Sequence, residues 1–113
     1  MIAVIFEGIP NEGKMDEYLS LAPKYGELLK SFDGFISNER YQSCANPNKV
    51  LSLSLWRDEE SIRRFRQLEA HIKDERLGRD DLFSEYRICI ATVTRNYTLY
   101  DRKDAPAPVA SNR

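Results

Sequence analysis

The stretch that most limits what this chain can fold into is KVLSLSLWR, residues 49–57. Its side chains alternate strictly. Leu51, Leu53 and Leu55 fall on one side, and Val50, Ser52, Ser54 and Trp56 on the other. Period-two alternation marks a β-strand, because successive side chains of a strand point to opposite faces of a sheet. The strand leads directly into WRDEESIRRFRQLEAHIKDERLGR, residues 56–79, which opens a highly charged helix and holds the only Trp and the only His of the chain. Asp58 is the expected N-cap, with Glu59 and Glu60 in the first turn where the helix dipole favours acids.

The rest of the chain is read outward from that strand and helix. Residues 2–9, IAVIFEGI, are apolar and β-branched up to Glu7 and predict a strand covered on both faces. Pro10, Asn11 and Gly13 punctuate a turn. Residues 14–32 predict a helix whose apolar stripe is Met15, Tyr18, Leu19, Ala22, Leu29 and Phe32, with Tyr25 and Leu28 flanking it. Pro23 cannot donate to the Leu19 carbonyl, which predicts a kink or break there, and Gly26 weakens the same region. Asp33-Gly34 is expected to end the helix. Residues 35–43 alternate as a second strand, Phe35, Ser37, Glu39 and Tyr41 against Ile36, Asn38, Arg40 and Gln42. The short polar connection Ala45-Asn46-Pro47-Asn48 makes a hairpin with the 49–57 strand.

In the second helix Ile62, Phe65, Leu68 and Ile72 share one arc, into which Glu69 also projects. That conflict predicts that the regular helix ends near Leu68, with a further helical piece beyond it and a break at Gly78. His71 falls at the border of the apolar face. Residues 84–98 predict a long last strand, with Tyr86, Ile88, Ile90, Thr92 and Thr94 on one face and Arg87, Cys89, Ala91, Val93 and Arg95 on the other. Fifteen residues is long for so small a domain, and its surplus end is expected to pair with a partner subunit. Residues 1–100 are expected to form one domain, and 101–113, with Pro106 and Pro108, a flexible tail.

Composition removes several function classes. Of 113 residues 42% are hydrophobic and 31% charged, which supports a packed core under a solvated surface. Lys and Arg number 17 against 18 Asp and Glu, for a net charge of −1, so nothing favours nucleic acid or an anionic membrane. No run approaches a membrane span, and the N-terminus lacks the basic region of a signal peptide, so the expected compartment is the cytoplasm. Cys44 and Cys89 stand far apart with no CxxC and a single His, and neither a disulfide framework nor a zinc site is expected.

The predicted order is strand, helix, strand, strand, helix, strand. The split βαβ arrangement joins these with short, right-handed connections, giving a ferredoxin-like α+β fold: a four-stranded antiparallel sheet with both helices on one face. The other face holds too many apolar residues to meet water, which predicts a symmetric homodimer packed sheet on sheet through that face and the last strand.

At this point the sequence resembles the antibiotic biosynthesis monooxygenase family of dimeric α/β-barrel proteins. The resemblance is carried by Gly34-Phe35, by Leu55-Trp56-Arg57-Asp58-Glu59-Glu60, by Phe65-Arg66 with His71 six residues beyond Phe65, and by Gly78-Arg79, Tyr86-Arg87 and Arg95-Asn96-Tyr97. It implies a small oxygenase that oxidises a phenolic, aromatic substrate with molecular oxygen and no cofactor. Such a reaction needs an apolar cavity, a base, and donors that steady an oxyanion or peroxide. His71 is the expected base, since imidazole titrates near neutrality; its alternative role is a structural hydrogen bond at a helix end. Trp56, Phe65, Tyr41, Ser52 and Ser54 are the expected substrate-binding residues, with Trp56 offering its indole N–H, and core packing is the alternative for each. Arg79 and Arg87 are expected to hold an oxyanion or an interface salt bridge, and Asn38 to add a polar contact.

Two rival readings stand beside this one. Haem-degrading relatives imply an Asn on the first strand, a Trp on the second helix and a downstream His ligand. Phe6, Glu7 and Phe65 occupy the first two of those places here, which leaves His71 as an axial ligand in a different haem pose. The third reading is a non-catalytic dimer that binds a small molecule.

Overall fold

The structure, a computed structural model, describes residues 1–72 and 82–107, and the side chains of Ala22, Ala70, His71 and Ile72 lie outside that description. The elements run β1 (Ile2–Pro10), α1 (Met15–Lys30), β2 (Phe35–Gln42), β3 (Val50–Trp56), α2 (Glu59–Ile72) and β4 (Phe83–Thr92). The four strands form one sheet in the order β2-β3-β1-β4, and every neighbouring pair is antiparallel. This is the ferredoxin-like α+β arrangement read from the element order.

Register sorts the side chains into two faces. Ile2, Val4 and Phe6 of β1 pair with Trp56, Ser54 and Ser52 of β3, and these share a face with Ile88 and Ile90 of β4. Both helices pack on that face. Near one end Tyr18, Val50, Leu82 and Phe83 form a buried cluster with Phe6, Met15 and Leu21 against it. Near the other, Leu29, Trp56, Ile62 and Phe65 form a second cluster with Ile2, Val4, Tyr25, Phe32 and Phe35. Trp56 is its hub: Phe32, Phe35 and Phe65 lie with ring centroids 6.3, 5.4 and 5.6 Å away. Edge and tilted contacts of this kind add to plain area burial.

Several local expectations change. Helix α1 runs unbroken across Pro23. Leu19 does not join its stripe but is 50% exposed, while Tyr18, Leu21, Tyr25 and Leu29 face inward. The helix stops at Lys30, capped at Ser31, before Asp33-Gly34. Gly34 instead makes the turn into β2 at φ +93°, and a Cβ there would overlap the Ser61 hydroxyl. Only glycine suits both the conformation and the contact. Its carbonyl accepts from the Arg57 N–H at 2.7 Å. In β2 a register shift between Phe35 and Ser37 moves Phe35 to the helix-bearing face beside Asn38 and Arg40, so it does not share a face with Ser37, Glu39 and Tyr41.

Helix α2 begins as read. The Ser61 N–H and hydroxyl both donate to Asp58 Oδ1, at 2.8 and 2.7 Å, and close its first turn. It does not end near Leu68 but continues to Ile72. The break expected at Gly78 lies outside the described residues. Strand β4 stops at Thr92 instead of reaching residue 98. Its neighbour β1 runs out at the same point: Ile2 pairs with Thr92, and the Val93 N–H donates to the Met1 carbonyl at 3.0 Å. Beyond it the chain folds on itself, with the Asn96 N–H donating to Asp104 at 2.8 Å.

Candidate functional site

The helix-bearing face of β3 reads Val50, Ser52, Ser54, Trp56. The large residues at its ends belong to the two core clusters. The two serines between them are too small to reach the helices, and a cavity of about 170 Å³ opens there. A cavity of roughly 150 Å³ is enough to take a benzene ring. Its apolar wall comes from Val4, Phe6, Leu21, Leu29, Trp56, Ile62, Phe65, Leu82 and Phe83, and its polar wall from Tyr18, Tyr25, Asn38, Arg40, Ser52, Ser54, Arg66 and Glu69. A mostly apolar space with a few convergent polar groups is the usual form of a small-molecule site.

Four of the residues singled out for substrate binding meet here: Trp56, Phe65, Ser52 and Ser54. Asn38 joins them, its side-chain amide donating to Ser52 Oγ at 3.0 Å. The Trp56 indole N–H does not point to an open partner; it donates to Ser54 Oγ at 2.9 Å. Each serine oxygen therefore accepts one bond, and its own O–H remains a donor. Tyr41 is elsewhere: it pairs with Leu51 on the opposite face of the sheet and is 47% exposed. Arg87 also lies on that opposite face, where its guanidinium meets Glu7 at 3.0 Å. Arg79 lies outside the described residues. The backbone of residue 71 is in α2, and the His71 side chain lies outside the description.

Sequence reading did not assign Tyr18, Arg40, Arg66 or Glu69 to a site. Glu69 did leave a signal, as the acid that interrupts an apolar arc. The interruption marks where the arc meets a cavity, not where the helix ends. Ile62, Phe65, Arg66 and Glu69 all reach the cavity wall, as positions one turn apart on a helix should. Arg40 was legible only as one member of an alternating strand.

Strong electrostatics lies beside the cavity, not within it. Arg57 grips Asp33 with two nitrogens, at 3.0 and 3.1 Å, and meets Asp58 at 3.0 Å, tying the turn before β2 to the start of α2. The Asp58 carboxyl is held far below the usual carboxylate range, first by the Ser61 hydroxyl and N–H and then by Arg57. Asp33 is lowered chiefly by Arg57, and Glu7 by Lys49 and Arg87. Asp33 is exposed and Asp58 and Glu7 are only partly buried, so these pairs orient loops more than they stabilise the fold.

Comparison with known proteins bears on this geometry. The family model for antibiotic biosynthesis monooxygenase matches residues 1–73. A curated relative, the jasmonate monooxygenase ABM of Pyricularia oryzae, is 42% identical over 94 residues, which is 83% of this chain and 44% of that protein. The chain thus spans less than half the length of that relative. Among solved structures, Rv0793 from Mycobacterium tuberculosis is similar with a TM-score of 0.70 at 14% identity, over 86% of this chain and 98% of its own. SnoaB, a cofactor-independent oxygenase from Streptomyces nogalater, has a TM-score of 0.65 at 15% identity, over 88% of this chain and 96% of its own. At such identities the likeness is one of fold.

Proposed function

We propose that this chain, which belongs to the antibiotic biosynthesis monooxygenase family, is a cofactor-independent monooxygenase that oxidises a small aromatic, phenolic substrate with molecular oxygen in the cavity between sheet and helices. We further propose that it works as a homodimer closed through the open sheet face. The observation that carries the reading is the pair of serine hydroxyls, Ser52 and Ser54, set side by side in an otherwise apolar space with their protons free to donate. The name of the Pyricularia oryzae relative supports monooxygenase activity, and that of the Streptomyces nogalater neighbour supports activity without a cofactor.

The chemistry balances without a cofactor when the substrate supplies the electrons. A methylene activated by a phenolic ring loses a proton, and the resulting electron-rich anion reduces oxygen. A carbon–oxygen bond forms, and the hydroperoxide loses water to leave a carbonyl. The methylene carbon gives up both hydrogens and gains one oxygen atom of dioxygen, and the other oxygen atom leaves with those hydrogens as water. The chain has to hold the ring, accept the first proton and steady the developing oxyanion. Phe65, Trp56 and Phe6 supply the apolar walls, and Ser52 and Ser54 the donors. Two groups on α2 answer for the proton. Glu69 is at the cavity wall, and His71 is the base that the family resemblance implies.

Oxygen consumption with small phenols that carry a ring-activated methylene, under oxygen-18, tests the reading. The wild-type protein is expected to place one labelled atom in the product and one in water. Ser52→Ala with Ser54→Ala should lower kcat by about 100-fold, the usual cost of losing oxyanion donors. Glu69→Gln and His71→Ala, measured side by side, assign the proton: the variant that loses turnover identifies the base. Saturable binding of such phenols with no oxygen uptake would reduce the protein to a binder.

A further inference from the structure

The cavity contains polar groups that the oxidation does not use. Tyr18 is 6% exposed, and its hydroxyl is buried with no hydrogen-bond partner. Nε of Arg40 is likewise buried and without a partner. The two belong together: the Arg40 guanidinium lies over the Tyr18 ring, 5.7 Å from its centroid. Both line the cavity. Among the described residues Arg40 has no carboxylate partner, whereas Arg57, Arg63, Arg64 and Arg87 each have one.

Leaving a buried donor unmatched costs about 1–3 kcal/mol, and more for a charged group. Both side chains stand at the cavity wall, and a ligand that turns them toward it and accepts from both would match the two donors. We infer that the substrate of this cavity carries a carboxylate, which pairs with Arg40 and accepts from the Tyr18 hydroxyl while the apolar body of the molecule extends toward Trp56 and Phe65. The inference rests on the reading that this cavity is the substrate site.

Charge selects a carboxylate over a phosphate. Among the described residues the charged ones lining the cavity are Arg40, Arg66 and Glu69, two cations to one anion. That balance suits a monoanion and not a dianion. Shape agrees, because the arginine sits on β2 beside the first core cluster, whereas the hydroxyls of Ser52 and Ser54 continue toward the second. A molecule with its acid group at one end and its oxidisable ring at the other would touch both sets.

The test uses the intact chain and reads binding, not turnover. Trp56 is the only tryptophan and lines the cavity, so its fluorescence reports occupancy. The probes are octanoate and cyclohexaneacetate, each beside its methyl ester. The acids are expected to bind saturably and at least ~10-fold more tightly than the esters, as loss of a charge-assisted hydrogen bond requires. Arg40→Gln should bring the acids down to the level of the esters, Arg40→Lys should keep part of the preference, and Tyr18→Phe should weaken the acids by about fivefold. Equal binding of acid and ester, acid binding unchanged in Arg40→Gln, or no saturable signal from either acid would each overturn the inference. The acid–ester comparison on the wild-type protein holds even where a variant fails to fold. The probes contain no oxidisable phenol, which separates the two proposals. Acid preference with no oxygen uptake on any phenol sinks the oxygenase and leaves the carboxylate site. Oxygen uptake equal on neutral and acidic phenols, and unaffected by Arg40→Gln, sinks the carboxylate site and leaves the oxygenase.

Discussion

Asp58 shows how one side chain can organise a junction. Its Oδ1 accepts from both the N–H and the hydroxyl of Ser61, and its Oδ2 meets Arg57, whose other nitrogens hold Asp33. Ser61 is fully buried against Gly34, so the start of α2 and the turn into β2 fit together only in this geometry. The carboxyl of Asp58 is lowered from an ordinary value of 3.8 by these bonds. A group whose folded pKa is depressed contributes stability above its unfolded pKa and loses it as pH falls through the folded value. The contribution of Asp58 is therefore complete at neutral pH and declines from about pH 4 downward. Asn at this position keeps the capping oxygen but cannot titrate. Thermal melts of Asp58→Asn between pH 7 and pH 2 should show a smaller acid-induced fall in Tm than the wild-type protein. Some fall should remain, because Asp33, Glu7 and Glu60 are lowered too. Parallel curves for the two proteins would contradict this role.

At the scale of elements, Pro23 lies inside α1 without the break that was one of its two expected effects. Proline removes one N–H and crowds the carbonyl four residues back, yet α1 continues across it. That carbonyl belongs to Leu19, which is half exposed, so water can take the bond that the helix lost. Inward-facing Tyr18, Leu21, Tyr25 and Leu29 hold the helix on the sheet on both sides of the proline. Pro23→Ala should therefore raise stability by about 2 kcal/mol in urea denaturation, the helix propensity difference less the gain in unfolded-chain entropy. A loss of stability would mean that the proline shapes α1 and does not merely burden it. The same contrast explains what the sequence could convey. Alternation in 49–57 identified the helix-bearing face of β3, and Asp58 announced α2, because both are local rules. The bulge at Phe35 and Ser37 left no mark, since an extra residue in a strand has no composition of its own. The length of β4 was set by where β1 begins, which no local pattern contains. Ser52, Ser54, Trp56 and Phe65 were found because strand alternation and helical spacing put them on facing surfaces. Arg40 and Tyr18 were not, because their significance lies in what they fail to touch.

At the scale of the molecule, the sheet has one face under the helices and one without a cover among the described elements. Ile5, Leu51, Leu53 and Leu55 lie together on the open face and are only half-buried, with Glu7, Lys49 and Arg87 forming a charged cluster at one end. Apolar surface arranged so regularly is costly in water and is best removed by a second copy. Leu53 is central, paired with Ile5 on one side and Glu39 on the other. We expect sedimentation of the wild-type chain at twice its 13.1 kDa mass, and of Leu53→Glu at the mass of one chain. A wild-type monomer at micromolar concentration, or a dimeric Leu53→Glu, would remove this face as the interface. The cavity opens on the opposite side of the sheet from these residues. Substrate binding and dimerisation should then be separable: a monomeric Leu53→Glu protein is expected to quench its Trp56 fluorescence with octanoate as the wild type does. Loss of that response on dissociation would show that the second copy holds the cavity in shape, acting through the β3 residues that present Leu53 to one face and Ser52 and Ser54 to the other.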